Sequence, residues 1–288
     1  MKNPTKITLI IGLLGGAVAA QAQTVYSNNF DPGDNFTNAG ASSANQMVNN
    51  VMGGGPEKVT YRETKNNGTV GINTNLPRSG NGSVWFSTNG TANGKSEIAL
   101  STGFSGAGDS TGILGAFDDL SALSADLYTL ASPDSGNQAP IVRIELFSSI
   151  ENKYGQLVFD TAWAPSHFGT FTYGQWNNVD LLGNASSTWL RATSGINTAY
   201  GPGASPNNHE RTLADWQSIL AGKGYNVISV NAGIGSFGGT FQGAMDNLSV
   251  GFGGNNNTYN FEAVPEPASM CVLGLGALAM LRKRKAKK

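Results

Sequence analysis

The stretch Ile141-Val142-Arg143-Ile144-Glu145-Leu146-Phe147 alternates between apolar and charged residues, and it decides the fold class of the chain. Because successive side chains of a β-strand point to opposite faces, Val142, Ile144 and Leu146 share one face. Arg143 and Glu145 share the other. The pattern predicts a half-buried strand with its apolar face on a core. An ion pair between Arg143 and Glu145 is the simplest interpretation of the charged face.

The same alternation recurs in other short stretches. Leu157, Phe159 and Trp163 alternate with Gln156 and Asp160, and further strands are predicted at 123–128 and 248–252. Asn-Gly pairs at 67–68, 81–82, 89–90 and 93–94 are typical of tight hairpin turns, which need positive φ angles. Many short strands without intervening helices favour an all-β sandwich.

The composition agrees with a turn-rich folded chain. Of 288 residues, 39 are glycine and only 13% are charged, while 39% are hydrophobic, including 13 Phe, 8 Tyr and 5 Trp. That apolar content is enough for a core, and the glycines indicate many turns. The single cysteine, Cys271, leaves no internal disulfide, so packing and any bound metal must stabilise the domain.

One helix is predicted within the β-rich region. Thr212 precedes an apolar face at helical spacing, Asp215 stands where a capping box needs an acid, and Gly222 and Gly224 follow. The face consists of Leu213, Trp216, Ile219 and Leu220. We expect this short helix to cover an open end of the sandwich.

The charges are segregated along the chain. The last seven residues hold six cations, whereas residues 23–264 hold 10 basic and 18 acidic side chains, a balance of −8. A domain this acidic is repelled by phosphate backbones, so nucleic acid is not expected as a partner.

Residues 1–22 have the pattern of a secretory signal peptide. Lys2 and Lys6 precede an apolar run of 14 residues, 7–20, and Ala20 and Ala22 supply small side chains at the cleavage positions. Cleavage after Ala22 is expected, which implies export by the secretion machinery.

The other end has a three-part pattern. Val264-Pro265-Glu266-Pro267 is followed by an apolar stretch, 268–281, and then by the cations Arg282, Lys283, Arg284 and Lys285. As a helix the stretch is about 21 Å long, shorter than the ~30 Å hydrocarbon core, so a short transmembrane helix held only until processing is favoured over a permanent anchor.

This tail, residues 261–288, resembles the PEP-CTERM sorting signal of Gram-negative and related bacteria. The resemblance implies recognition by an exosortase in the cytoplasmic membrane, cleavage near the motif, and release or attachment at the cell surface. Such proteins accompany exopolysaccharide production, so an exopolysaccharide is an expected partner. An ordinary single-span anchor is the alternative.

The region between the two ends, 23–260, resembles the jelly-roll sandwich of carbohydrate-binding modules. The similarity lies in three stretches, Asn29-Phe30-Asp31, Gln175-Trp176-Asn177-Asn178-Val179-Asp180-Leu181 and Ala244-Met245-Asp246-Asn247-Leu248-Ser249-Val250. It implies an all-β jelly roll and says little about a ligand.

Asp246 is the carboxylate of most interest. Its parity matches that of Leu248 and Val250, so we expect it to point toward the core and to need compensation. In the modules that the chain resembles, the acid at this strand often shares a structural calcium site with one near the N-terminal strand, here Asp31. The alternative is that Asp246 accepts main-chain N–H bonds.

Two tryptophans are the candidate glycan contacts. Trp85 is out of phase with Val84 and Phe86, and Trp189 lies near a Gly-rich loop, so both are candidates for stacking on sugar rings. Packing in the core is the alternative for each.

No catalytic constellation is recognisable. His167 and His209 lack metal-ligand spacing, no Gly-x-Ser-x-Gly elbow occurs, and no paired carboxylates are evident. We therefore expect a non-enzymatic exported protein of the cell envelope or extracellular matrix that binds a glycan. The alternatives are a purely structural matrix protein without a specific ligand and a glycan-active hydrolase.

Overall fold

A computed structural model describes residues 21–52, 55–105, 109–130, 139–160, 171–201, 211–237 and 239–267. In these ranges 18 strands form two sheets. The strands are β1 (Gln21–Phe30), β2 (Phe36–Thr37), β3 (Ala44–Val48), β4 (Asn50–Met52), β5 (Lys58–Lys65), β6 (Thr69–Asn73), β7 (Ser83–Asn89), β8 (Gly94–Ser101), β9 (Gly115–Ala116), β10 (Leu120–Thr129), β11 (Ile141–Ser148), β12 (Lys153–Phe159), β13 (Trp176–Asp180), β14 (Trp189–Thr193), β15 (Arg211–Thr212), β16 (Tyr225–Phe237), β17 (Thr240–Phe252) and β18 (Asn255–Val264).

The two sheets face each other as a jelly-roll sandwich. The first sheet has the order β2-β6-β7-β17-β18-β1-β4, with β10 along the opposite edge of β17 and β13 beside β10. The second has the order β15-β14-β12-β11-β16-β8-β5-β3, with β9 on β16. The β-sandwich expected from the strand pattern is confirmed.

The core lies between the sheets and takes alternate residues from each strand. Ile144 and Leu146 of β11 are 1% and 0% exposed, and Leu157 and Phe159 of β12 are both fully buried. The alternation at 141–147 therefore has the predicted phase. Burying a side chain of this size contributes ~1.5–3 kcal/mol. Trp163 lies outside the described residues.

The Asn-Gly turns differ from the expected hairpins. Asn66 and Asn67 have φ values of 49° and 62° and lead from β5 of the second sheet to β6 of the first. Asn93, with a φ of 60°, lies between β7 of the first sheet and β8 of the second. Of the four predicted pairs, those at 67–68, 89–90 and 93–94 have a positive φ angle, at Asn67, Gly90 and Asn93, whereas the pair at 81–82 has none. After β5 and after β7 the chain crosses between the sheets, because tight turns also serve as corners of a sandwich.

Two α-helices lie in the described ranges, α1 (Ser194–Tyr200) and α2 (Leu213–Leu220), together with one 3₁₀ turn at Phe117–Asp119. The second is the predicted helix, and Thr212 and Asp215 form its capping box. Its apolar face contacts the core through Leu213, Trp216 and Leu220, each 0% exposed. α1 was not predicted.

The first and last strands pair in parallel, from Gln21 opposite Asn257 to Phe30 opposite Val264. The last strand includes the buried residues Phe261 and Ala263, so it runs beyond residue 260, where the domain was expected to end. Val264 closes it: its N–H donates to Ser27 Oγ at 2.9 Å and its carbonyl accepts from the Asp31 N–H at 2.8 Å. Pro265, Glu266 and Pro267 follow directly and are exposed.

No helix within the described ranges has the length and apolar character needed to cross a bilayer. The predicted short helix at 268–281, the basic cluster with Arg282, Lys283, Arg284 and Lys285, and the signal residue Ala20 lie outside those ranges.

Candidate functional site

A row of aromatic side chains crosses the outer face of the first sheet. Trp85 of β7 stands opposite Ala244 of β17, which stands opposite Tyr128 of β10, which stands opposite Trp176 of β13. Directly opposed residues in antiparallel strands lie on the same face. Val84 and Phe86, the neighbours of Trp85, are both 0% exposed and point into the core, so the aromatic row points outward.

The row has a defined geometry. The rings of Tyr128 and Trp176 meet edge to face, with centroids 5.5 Å apart and planes at 61°. Since neighbouring strands lie ~4.8 Å apart, the Cα atoms of Trp85 and Trp176 are separated by three strand spacings, or ~14 Å. Both tryptophans are partly exposed. The small residues Gly71 and Ala244 stand on either side of Trp85 and leave its ring without bulky neighbours in the row.

A polar row runs beside the aromatic one, two residues further along the strands. Asp246 of β17 stands opposite Asp126 of β10, which stands opposite Asn178 of β13. The side-chain amide of Asn178 donates to Asp126 Oδ1 at 2.8 Å, and that of Asn247 donates to Oδ2 at 2.9 Å. Acceptors and amides therefore lie directly beside the aromatic rings.

Arg78 connects the two rows. Its Nε donates to Asp126 Oδ2 at 3.1 Å, and its guanidinium carbon lies 5.9 Å from the centroid of the Trp176 ring. The Arg78 side chain remains 42% exposed. It therefore offers free N–H donors at the edge of the aromatic row.

Carboxylates also hold the loop that carries Arg78, residues 74–82. Asp246 Oδ2 accepts from the Ser79 N–H at 3.1 Å. Glu262 Oε2 accepts from the N–H groups of Asn81 and Gly82 at 2.6 Å and 3.0 Å. These bonds fix the loop over the polar row and so position Arg78.

Asp246 points to this outer face and not toward the core, so the prediction from its parity is wrong. Asn247 has a φ of 49°, and the register of β17 against β10 shifts at this point. The bulge reverses the alternation, so the core position belongs to Met245, opposite Leu127, both 0% exposed. A bulge of one residue leaves no clear signal in a sequence.

Asp246 is fully buried beneath the 74–82 loop. Its Oδ1 accepts from the Phe261 N–H at 3.0 Å, while Oδ2 binds Ser79. Burial raises the pKa of Asp246 to about 6, and the nearby Glu262 adds to the rise, although the main-chain N–H donors act in the opposite direction. The alternative interpretation of Asp246, as an acceptor of main-chain N–H bonds, describes these contacts.

Asp31, the expected partner in a calcium site, has a different environment. It is exposed, and its N–H donates to the carbonyl of Val264. Val264 lies three residues along β18 from Phe261, whose N–H donates to Asp246. Three residues of a strand span about 10 Å. Among the described residues no group of three or more His, Cys, Asp or Glu side chains is arranged to hold a metal ion. Calcium at Asp31 and Asp246 stays a prediction.

The buried acid that follows the first strand is Asp34, which the sequence did not single out. It is 3% exposed and accepts from the N–H groups of Asn28 and Asn29 at 2.8 Å and 2.9 Å and from the Tyr61 hydroxyl at 2.5 Å. Its contacts close the turn after β1. This is a structural role for the carboxylate.

Trp189, the second candidate glycan contact, lies on the other sheet. It belongs to β14 and pairs with Thr212 of β15, and its neighbour Leu190 points into the core. Trp189 is partly buried on the outer side of the second sheet. The structure therefore does not bring Trp85 and Trp189 together, because they are on opposite sides of the sandwich.

The outer face of the second sheet carries a buried ion-pair network. Arg143 donates to Glu97 Oε2 at 3.0 Å and forms an ion pair with Oε1 at 2.7 Å, and Arg62 donates to Glu145 at 2.8 Å. Lys95 also pairs with Glu97, at 3.4 Å. The expected ion pair between Arg143 and Glu145 is thus wrong, since each binds a residue on another strand. His167 and His209 lie outside the described residues.

Solved structures with low similarity to this chain include two xyloglucanases. The native family 12 xyloglucanase from Bacillus licheniformis has a TM-score of 0.34 and 15% identity, covering 78% of this chain and 99% of that one. The xyloglucanase domain of NopAA, a type three effector from Sinorhizobium fredii, in complex with cellobiose, has a TM-score of 0.30 and 15% identity, covering 78% and 97%.

No curated protein matches the chain in sequence. Residues 263–285 match the model of the PEP-CTERM protein-sorting motif. This motif implies an exported, envelope-associated protein that an exosortase processes, and it begins where the last strand of the jelly-roll sandwich ends.

Proposed function

We propose that the exported domain binds a glycan across the aromatic row formed by Trp85, Tyr128 and Trp176. The observation that carries the proposal is the register of four strands, which aligns these rings in one line on an outer face. The C–H faces of sugar rings suit aromatic platforms. A row ~14 Å long can contact several consecutive sugar units of an extended chain.

The polar row supplies the groups that a sugar needs besides stacking. Arg78 is partly exposed and offers N–H donors, and Asp126 and Asn178 offer an acceptor and an amide beside Trp176. Sugar hydroxyls both donate and accept, so a mixed set of this kind matches them. Because Ser79, Asn81 and Gly82 are fixed by carboxylates, Arg78 is ordered before a ligand arrives, which lowers the entropic cost of binding.

An exopolysaccharide of the producing cell is the ligand class that best fits the location of the protein at the cell envelope. The sorting motif directs the protein to the envelope, where it meets polysaccharide that the cell exports. The domain then acts as a surface or matrix component, anchored to polysaccharide through its aromatic row.

Binding without hydrolysis is favoured over a glycan-active hydrolase. Glycoside hydrolysis needs two carboxyl groups that reach the scissile bond. Glu97 and Glu145 of the second sheet are 0% and 1% exposed, and arginine occupies both. Asp126 and Asp246 of the first sheet are 4% and 0% exposed, beneath the 74–82 loop.

The test is affinity electrophoresis of the full-length protein in gels containing polysaccharide purified from the producing strain. We expect retardation that Trp85→Ala and Trp176→Ala each weaken by about tenfold in Kd, since stacking contacts are worth ~1 kcal/mol or more. Trp189→Ala is the matched control, because it removes the same ring from the opposite side and leaves binding intact.

Two results would contradict the proposal, and each would favour a different function. Uniform lack of retardation with all the polysaccharides favours a purely structural matrix protein. Release of reducing ends by the purified protein, abolished by one specific Glu or Asp substitution, favours a hydrolase.

A further inference from the structure

A cavity of about 270 Å³ lies at one end of the sandwich, between the two sheets. Leu100 of the second sheet and Val250 of the first sheet line its opposite walls. Phe252 and Asn255 flank the turn between β17 and β18 and border the cavity at its end. It is separate from the aromatic row, which lies on the outer face of the first sheet.

The polar lining of the cavity gathers around one carboxylate, Glu57. The side-chain amide of Asn257 donates to Glu57 Oε1 at 3.2 Å. Burial and the charge of Glu57 raise the pKa of Tyr259 well above its usual value, so this hydroxyl stays neutral beside the carboxylate. Both polar neighbours of the carboxylate are therefore neutral.

The second oxygen of that carboxylate lacks a partner. Glu57 Oε2 is buried and has no hydrogen-bond donor among the described residues. A buried carboxylate oxygen without a donor costs ~1–3 kcal/mol or more. Among the described residues that line the cavity none is basic, and its apolar walls are the side chains of Leu100, Leu114, Val250 and Phe252.

We propose that this cavity binds a small organic amine, with its ammonium group on Glu57 and its apolar body against Leu100, Leu114 and Val250. A pocket that combines apolar walls with convergent polar groups is a common form of small-molecule site, and about 270 Å³ suits a ligand smaller than a drug. The ammonium supplies the positive charge that the described lining of the cavity does not offer to the Glu57 carboxylate. The neutral side chain of Asn257 holds the carboxylate in place for it.

Three ring compounds of nearly equal size separate charge from shape: benzylamine, benzyl alcohol and benzoate. Titration calorimetry with the full-length protein should give saturable binding of benzylamine, binding of benzyl alcohol about tenfold weaker or more, and none of benzoate. Equal affinity for all three probes, or no binding of any, would overturn the proposal.

Glu57→Gln keeps the size of the side chain and removes its charge. We expect it to weaken benzylamine binding by about tenfold to a hundredfold and to abolish the preference over benzyl alcohol. Asp109→Asn is the matched control: it removes the same charge from an exposed residue outside the cavity and should change nothing. Unaltered binding by Glu57→Gln would contradict the assignment.

Leu114→Trp serves as a second variant, because it fills the cavity while Glu57 stays in place. Leu114 is only partly buried, so the larger side chain has room to be accommodated without disrupting the core. We expect loss of benzylamine binding with an unchanged unfolding temperature. Retained binding would show that the amine occupies another site, and retention of the protein in polysaccharide gels should be unaffected in both variants.

Discussion

Asp246 stands directly opposite Asp126 on the neighbouring antiparallel strand, with both carboxylates on the same outer face of the first sheet. Like charges in this position are destabilising unless they are compensated. Asp126 is compensated by Arg78, Asn178 and Asn247, whereas Asp246 receives only main-chain N–H groups besides its burial. Burial is the main reason that the pKa of Asp246 rises.

That rise predicts a pH-dependent stability. Burial raises the pKa of Asp246 from 3.8 to about 6, so the folded state binds the proton more tightly than the unfolded state does. The contribution of Asp246 is fully present below pH 3.8 and is lost as the pH rises through about 6. It amounts to up to ~3 kcal/mol, because one pKa unit is worth ~1.4 kcal/mol.

Urea denaturation at intervals between pH 4 and pH 7 checks it. Over this interval the free energy of unfolding of the wild type, minus that of Asp246→Asn, should fall as the pH rises. Groups with lowered pKa values, such as Asp215, act in the opposite direction but are present in both proteins and cancel. Parallel profiles for wild type and variant would refute the assignment.

We predict that substituting one residue of the buried pair Arg62–Glu145 on the second sheet causes a large loss of stability. Arg62 crosses from β5 to β11 and reaches Glu145 at 2.8 Å, and the two residues are 6% and 1% exposed. Glu145→Gln should lower the free energy of unfolding by ~3–5 kcal/mol, because it leaves the arginine charge buried without its partner. Urea denaturation measures the change.

A double-mutant cycle supplies the control for this pair. Arg62→Met with Glu145→Leu should recover much of the loss, since replacing both partners removes the unpaired charge. Additive losses in the double variant would mean that the two side chains do not act as a pair.

The sequence predicted what depends on local periodicity and missed what depends on the register between strands. The alternation at 141–147 and the capping box of Thr212 and Asp215 follow from neighbouring residues, and both are confirmed. The partners of Arg143 and Glu145 lie on β8 and β5, which are distant in sequence, so an adjacent pair was the natural but wrong choice.

The candidate site was only partly predictable for the same reason. Trp85 was recognised as outward-facing because Val84 and Phe86 are apolar neighbours. Its alignment with Tyr128 and Trp176 requires the register of β7, β17, β10 and β13, which no single stretch encodes. The bulge at Asn247 reversed the expected direction of Asp246.

The calcium prediction for Asp31 and Asp246 has its own test. If the two carboxylates share a calcium ion, chelation with EGTA should lower the unfolding temperature and added calcium should restore it, because the ion binds the folded state alone. Asp31→Asn should remove that response. An unfolding temperature indifferent to both chelator and calcium would leave main-chain N–H bonds as the compensation for Asp246.

We predict that breaking the capping box of α2 lowers the stability of the protein moderately. Thr212 Oγ1 accepts from the Asp215 N–H at 3.2 Å, and the Asp215 carboxylate accepts from the Thr212 N–H at 2.9 Å. Thr212→Ala should lower the free energy of unfolding by ~1 kcal/mol. Ser218→Ala, on the exposed side of the same helix, is the control and should have no measurable effect in the same urea titration.

The last strand of the sandwich ends where the exposed part of the sorting motif begins. We therefore predict that a truncation after this point changes the location of the protein without changing its stability. Val264 is the last residue of β18, and Pro265, Glu266 and Pro267 are exposed beyond it. A chain that ends at Pro267 should unfold at the same temperature as the processed protein, because no residue of the sandwich is removed. It should be missing from the envelope fraction, since the rest of the matched motif, which runs to residue 285, is gone.

A chain that ends at residue 260 should unfold at a lower temperature, because it loses Phe261 and Ala263 from the core and the pairing of Val264 with Phe30. Cell fractionation with intact-mass measurement and thermal unfolding checks all three proteins, and equal stability of the two truncated chains would place the end of the domain at residue 260 after all.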